Sequence, residues 1–483
     1  MGANTVLMYI GMAVFLIVML VIGIKASKKT TDLHSFAVAG RSFGPFVLAI
    51  TITSTYGSAS SYLGLGGMAF SSGWPMMWVW IGCMWGIVLP ILLLGPKMRV
   101  FSERLDSTTM PDFIAKRFDD ARFLRAFAAV VTVVFYTANI VAQFRGVGVL
   151  IGTAFDIDYK LAVVLFGLII IFYCAAGGLF AVGWTDVVQG TFMMLIILFL
   201  VPISINASGG LEAMNQRLLE IGPEMTSIFG NGYTPLLAVF IVIFYSLLQM
   251  GQPNIGSRFF AIKKVKDFKK VLILTLFGTL LMSSVPWAGF AARILFPDIV
   301  ADYAVPTMIM HYFPSVIAVI SVIAIMCAMM TTIDGLLHSI STSIGLDLVR
   351  DTFGEKDERK VLLITRVSTI VAGLLAMICA LFWYPQFLSM LVFGALAGVG
   401  SCTVGPILVG VFDRKANKVG ATVGAVVSEA LFCLLLLIFG SSVSIFYIGT
   451  PCMVLNIVLT VVVSRVAGKT NEELVNRLFA VKG

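Results

Sequence analysis

Thr53-Ser54-Thr55-Tyr56-Gly57-Ser58-Ala59-Ser60-Ser61 interrupts an apolar run over residues 46–70, and Gly64, Gly66 and Gly67 follow it. A helix needs roughly 20 apolar residues to cross about 30 Å of hydrocarbon. The run is therefore long enough to span a membrane, yet its centre is small and polar. At membrane depth the backbone freed by such a block survives only where protein or a polar cavity satisfies it. A second run, 236–250, is short and ends in Gly251-Gln252-Pro253. Interrupted spans at corresponding positions of two halves point to an inverted-repeat transporter with its site near the midplane. Either interruption alone is also compatible with ordinary helix contacts through small residues.

Outward from these two runs the chain keeps the same character. Further apolar runs cover 7–24, 76–94, 124–150, 161–179, 187–205, 271–295, 316–344, 361–381, 387–411, 419–439 and 443–463, about thirteen spans in all. With 59% hydrophobic residues, 12% charged residues and a mean hydropathy of +1.00, the 483-residue chain has too little polar surface for a water-soluble globule. Barrel strands alternate apolar and polar residues, so the fold class is an all-α polytopic membrane protein. The interruptions fall in segments 2 and 7, and an odd repeat of five spans inverts the second half. The expected division is an extra N-terminal helix and basic loop (1–35), a five-helix repeat (36–205), an extracellular loop (206–234), a second, inverted repeat (235–412), two trailing helices (413–466) and a cytoplasmic tail (467–483).

The net charge of +8 is topological. Lys25, Lys28, Lys29 and Arg41 follow the first run, and Lys97, Arg99, Arg104, Lys116, Arg117, Arg122 and Arg125 the third. Arg258 to Lys270 follow the seventh, Arg350 to Arg366 the ninth, Arg414 to Lys418 the eleventh, and Arg465 to Lys482 close the chain. About 29 of the 33 basic residues thus share one side, the cytoplasm, which places the N-terminus outside and the C-terminus inside a cell membrane. Nucleic acid is not an expected partner. No basic n-region precedes the first run, which reads as a retained span and not a signal peptide. The seven Cys are scattered without CxxC spacing, and no P-loop occurs, so neither a structural metal nor direct ATP coupling is expected. Channels, secondary transporters, intramembrane enzymes and sensors remain; no paired nucleophile or HExxH motif supports an enzyme, and no catalytic residue is assigned.

The string from Tyr173-Cys174-Ala175-Ala176-Gly177-Gly178 to Trp184-Thr185-Asp186-Val187-Val188-Gln189 resembles a signature of the sodium:solute symporter family. Gly251-Gln252-Pro253-Asn254-Ile255-Gly256-Ser257-Arg258-Phe259, Ala39-Gly40-Arg41-Ser42 and Met330-Thr331-Thr332-Ile333-Asp334 are similar in the same order. Thr55 to Ser61 and Asp302-Tyr303-Ala304-Val305-Pro306-Thr307 look most like the pantothenate symporter branch. The resemblance implies a LeuT-type 5+5 inverted-repeat core and alternating access, with Na⁺ as the coupling ion, no cofactor, and a small organic solute as cargo. Pantothenate, proline, another monocarboxylate or a neutral solute are the candidates.

Na⁺ is a hard cation that suits about five oxygens, mostly neutral. Ala328, Thr331 and Thr332 lie at i, i+3 and i+4 on one face of segment 9. The resemblance implies that their carbonyl and hydroxyls join the carbonyls of Ser54 and Gly57 around Na⁺. The bland reading is a Thr pair bonding back to its own helix. Asp186 reads either as an N-terminal cap of segment 6 or, by resemblance, as a coupling residue or part of a second Na⁺ site. Asp334 stands where some members carry a further hydroxyl; it reads either as a second Na⁺ or coupling residue that binds the ion more strongly, or as a partner of His338 one turn on.

For the solute, the resemblance points to Ser58, Gln143, Arg145, Tyr245 and Gln249. Arg145 carries full charge inside a span, either as a counter-ion for a carboxylate or snorkelling outward. No Asp or Glu lies on segments 2 or 7, and Tyr56 stands where proline-carrying relatives have Asp. These features favour an anionic or neutral solute over a cationic one.

Overall fold

The computed structural model describes residues 3–27, 32–282, 284–382, 388–440 and 442–480. Among them no strand is formed; apart from two isolated bridges the backbone is helix and loop. Among the described residues nine helices are long and apolar enough to cross a membrane, or ten if the bent pair Pro235–Gly251 and Pro253–Ala261 counts as one span. The expected thirteen crossings are not reached by that measure. Segment 1 lies on the 25-residue helix Ala3–Ser27, segment 5 on the part of Tyr159–Ala207 before Gly178, and segment 2 on the shorter helix Pro45–Tyr56. Lys28, Lys29, Phe387 and Lys482 lie outside the described residues.

Both expected interruptions are real breaks with local causes. The helix Pro45–Tyr56 ends at Gly57, which is extended (φ −69°, ψ 118°). The Ser58 carbonyl then accepts from the N–H groups of Ser61 (3.0 Å) and Tyr62 (3.1 Å), starting a wide turn over Ser60–Gly64 that leads into the helix Leu65–Ser72. Serines at 58, 60 and 61 supply hydroxyls that compete with the helix ladder and favour such a break. In segment 7 the chain bends by 54° at Gln252, which is extended (φ −79°, ψ 122°). Pro253 dictates this, because proline disfavours the helical region for the residue before it and then opens a helix well. The bared carbonyls find side chains: Gln252 Nε2 donates to Leu248 O (2.9 Å) and Leu396 O (3.0 Å), and Thr403 Oγ1 donates to Gly251 O (2.6 Å).

Segment 9 sits at the centre. Its helix Ser315–Thr342 is buried over nearly all of its length and packs against segment 4, the kinked helix Tyr159–Ala207 that carries segments 5 and 6, and segment 10. Small residues allow the tightest approaches. A Cβ on Gly289, in the helix Pro286–Leu295, would lie 2.1 Å from the Gly66 carbonyl oxygen of the broken segment. Gly289→Ala therefore forces the two helices apart at backbone level, and a loss of about 1–3 kcal/mol is expected, visible as a lower Tm of the purified protein.

Several basic residues counted above as loop charge are structural. Arg258 is fully buried in the helix Pro253–Ala261. Arg99 donates from Nε to Ile262 O (2.8 Å), and Arg117 from Nε to Gly410 O (2.6 Å). The tail also folds: Glu472–Phe479 is a helix whose last carbonyls receive Arg104 Nη1, at 2.5 Å for Leu478 O.

Candidate functional site

The break at Gly57 brings its oxygens against segment 9. Thr331 Oγ1 lies 2.9 Å from Ser54 O and 3.0 Å from Ala328 O. Thr332 Oγ1 lies 2.9 Å from Gly57 O and 3.1 Å from Ala328 O. All five oxygens expected from the sequence thus form one cluster, and the Thr pair does more than bond back to its own helix. In this arrangement the hydroxyl protons serve the carbonyls. Rotating each O–H away presents five neutral oxygens, a donor set suited to a hard monovalent cation.

A small cavity, about 60 Å³, adjoins the cluster between the two breaks, and Thr332 is part of its wall. Ser58, Ser60, Asn139, Tyr245, Gln249 and Asn254 supply part of its polar lining, and Leu336, Val392 and Phe393 part of the apolar remainder. Among the described residues none of the lining side chains carries charge. Three of the five solute residues expected from the sequence, Ser58, Tyr245 and Gln249, are brought together here.

The other two are not, which corrects the expectation. Arg145 lies outside the lining and pairs with Asp302, Nη2 to Oδ2 at 3.8 Å. Its charge already has a partner on the connection between segments 8 and 9, where sequence spacing gave no sign of one. Arg145→Gln should accordingly change uptake of an acid and of its neutral analogue by the same factor, measured as kcat/KM for each. Gln143 faces backbone instead of cavity: its Oε1 accepts from the Ala59 N–H (2.8 Å) and its Nε2 donates to Asn139 Oδ1 (2.9 Å).

Asp186 is not a helix cap. The chain kinks at Gly178 (φ 56°), where a left-handed backbone admits glycine readily, so the helix Gly178–Ala207 begins about two turns earlier. Asp186 is fully buried and pairs with the equally buried Arg258, Oδ2 to Nη2 at 3.2 Å. Thr51 Oγ1 donates to the same Oδ2 and accepts from Arg258 Nε (3.0 Å), while Arg258 Nη1 donates to Asn254 O (2.8 Å). The pair thereby ties segments 2, 6 and 7 together one turn from Ser54. Asp334 does not pair with His338: its Oδ1 receives the Cys174 thiol (2.7 Å), and His338 Nε2 lies 3.1 Å from Ala37 O. Arg258, Thr51 and Asn139 were not picked out from the sequence; Asn139 shares a face with Gln143 at i and i+4, the one signal that could have found it.

The sodium:solute symporter family model matches residues 36–428. An osmoregulated proline transporter of Bacillus subtilis is 28% identical over 98% of this chain and 97% of its own length. A sodium/pantothenate symporter of Haemophilus influenzae is 30% identical over 83% of this chain and 84% of its own. In three dimensions the chain resembles a Na⁺-coupled sialic acid symporter solved in a substrate-bound outward-open state, with a TM-score of 0.80 at 20% identity, over 96% of this chain and 99% of that one. A nucleobase-cation-symport-1 family transporter matches with a TM-score of 0.58 at 14% identity, over 92% and 97% of the two chains. The fold is thus the LeuT-like fold of such transporters, and the relatives are transporters and symporters, not enzymes. A multi-pass helical chain that gathers neutral oxygens at a helix break and matches the family model over most of its length belongs to the sodium:solute symporter family, with Na⁺ as its coupling ion.

Proposed function

We propose that this symporter carries a small carboxylate-bearing organic solute together with one Na⁺ per cycle, binding the ion at Ser54 O, Gly57 O, Ala328 O, Thr331 Oγ1 and Thr332 Oγ1. The observation that carries the reading is the meeting of those oxygens at the wall of a cavity set between two helix breaks. Ser58, Tyr245 and Gln249 contact the solute, and Gln143 supports the site from behind. Asp186 acts in coupling, held by Arg258; the guanidinium supplies the positive charge beside it, so a second ion is not required there. Asp334 keeps a structural role against Cys174.

The core is read as two inverted five-helix repeats, 36–205 and 235–412, with the N-terminus outside and the C-terminal helix in the cytoplasm. Proline and pantothenate, the cargoes named for the relatives, both carry a carboxylate. The uncharged lining suits a zwitterion or a monoanion held by hydroxyls and amides, and offers no carboxylate to pair with a cationic solute. Thermal unfolding of the purified protein with and without Na⁺, in the presence of L-proline or pantothenate, tests this. A ligand that binds the folded state raises Tm. Stabilisation by one of these acids that needs Na⁺ supports the proposal; no stabilisation by either contradicts it.

A further inference from the structure

The fourth segment carries a chain of amides whose polarity is fixed from one end. The Ala59 backbone N–H, freed by the break in segment 2, can only donate, and its partner is Gln143 Oε1 at 2.8 Å. The amide of Gln143 is therefore oriented without ambiguity, and Nε2 is the group that meets Asn139 Oδ1 at 2.9 Å. That bond fixes the orientation of the Asn139 amide, with Oδ1 toward Gln143 and Nδ2 as the donor on the other branch. Asn139 is 1% exposed and lines the same cavity as Ser58 and Ser60, whose hydroxyls are 2.8 Å apart. One turn further along the same face, Tyr136 OH lies 3.0 Å from Gln252 Oε1 and 2.9 Å from Asn254 Oδ1 at the second break. One helix face thus touches both breaks.

We infer that Gln143 is a positioning residue that holds the first break through Ala59 and, by the same amide, locks Asn139 as a hydrogen-bond donor to the carboxylate of the solute. This rests on the carboxylate reading above. It makes Asn139 a determinant of acid over amide: an Asn free to flip would present oxygen to an amide donor, and a locked one presents N–H to an acceptor. It also links the solute subsite to Na⁺, because Ala59 follows by two residues the Gly57 carbonyl that Thr332 contacts.

The test uses the full chain in proteoliposomes, with L-proline against L-prolinamide and pantothenate against pantothenol. Asn139→Asp places an acceptor where the donor stood. It should raise KM for the acid at least about tenfold at pH 7.5, with partial recovery at pH 5.5 as the new carboxyl takes up a proton. The Na⁺ half-saturation, read from thermal stabilisation without solute, should stay within about twofold. A KM unchanged by Asn139→Asp, or a Na⁺ half-saturation shifted by the same factor as KM, overturns the proposal. Gln143→Leu removes the Ala59 anchor and is read with Na⁺ alone as probe. It should raise the Na⁺ half-saturation at least about fivefold. If the wild type accepts neither acid, the carboxylate reading fails by itself, and the anchoring by Gln143 stands or falls on that Na⁺ measurement: an unchanged value overturns it.

Discussion

Thr332→Ala raises the Na⁺ concentration for half-maximal transport by about 10- to 100-fold, and Thr332→Ser leaves it within about threefold. The magnitude follows from what the substitution removes. Thr332 Oγ1 is one of five oxygens in the cluster and the one that reaches Gly57 O. A hydrogen bond or ligand contact to a charged group contributes about 1.5–3 kcal/mol, and every 1.4 kcal/mol is tenfold in affinity. Alanine deletes the oxygen but keeps the helix, whereas serine restores the oxygen without the methyl. Na⁺ titration of initial uptake rates at fixed solute checks this. Equal half-saturation in wild type and Thr332→Ala would mean that the ion binds elsewhere.

Arg258→Leu has the largest expected effect on stability. It leaves Asp186 ionised and unpaired where both side chains are fully buried. Removing one partner of a buried pair typically costs about 3–5 kcal/mol, because the remaining charge has neither water nor counter-ion. The single variant should therefore lose most of its folded yield. Adding Asp186→Asn removes the stranded charge and should recover much of the loss, since replacing both members of a buried pair is often close to neutral. Thermal unfolding of the two single variants and the double variant gives the coupling. Additive effects would show that the 3.2 Å contact contributes little. Asp186→Asn alone should raise the Na⁺ requirement, because Thr51, held by both charges, lies one turn before Ser54.

What could be read in advance followed from periodicity and local chemistry. Thr331 and Thr332 share a helix face with Ala328 whatever surrounds them, and the Ser-Gly block at 53–61 announces a break that must find partners. What could not be read depends on contacts between distant parts of the chain. Arg145 resembles a counter-ion awaiting a solute until Asp302 arrives from the connection after segment 8. Arg258 groups with the loop charges in sequence because the apolar run stops before Pro253, yet the helix resumes there and buries it against Asp186. Asp186 was placed at a helix start because the runs around it part near Gly183, whereas the backbone turns at Gly178. Asn139 in an apolar run resembles ordinary packing; its role follows from which way one amide faces, and no sequence pattern carries that.

Coupling to Na⁺ can be measured directly as accumulation in proteoliposomes under an imposed gradient. One Na⁺ entering down a tenfold gradient and 100 mV releases about 1.4 plus 2.3 kcal/mol. A zwitterion leaves all of that for accumulation, several hundredfold, with an inward current. A monoanion spends about 2.3 kcal/mol on the voltage, leaving about tenfold accumulation without current. The account predicts that labelled proline or pantothenate rises above its equilibrium level with Na⁺ outside, with the matching current, and only equilibrates when K⁺ replaces Na⁺. Accumulation that is the same in K⁺, or uptake that never passes equilibrium at any Na⁺ gradient, would contradict it.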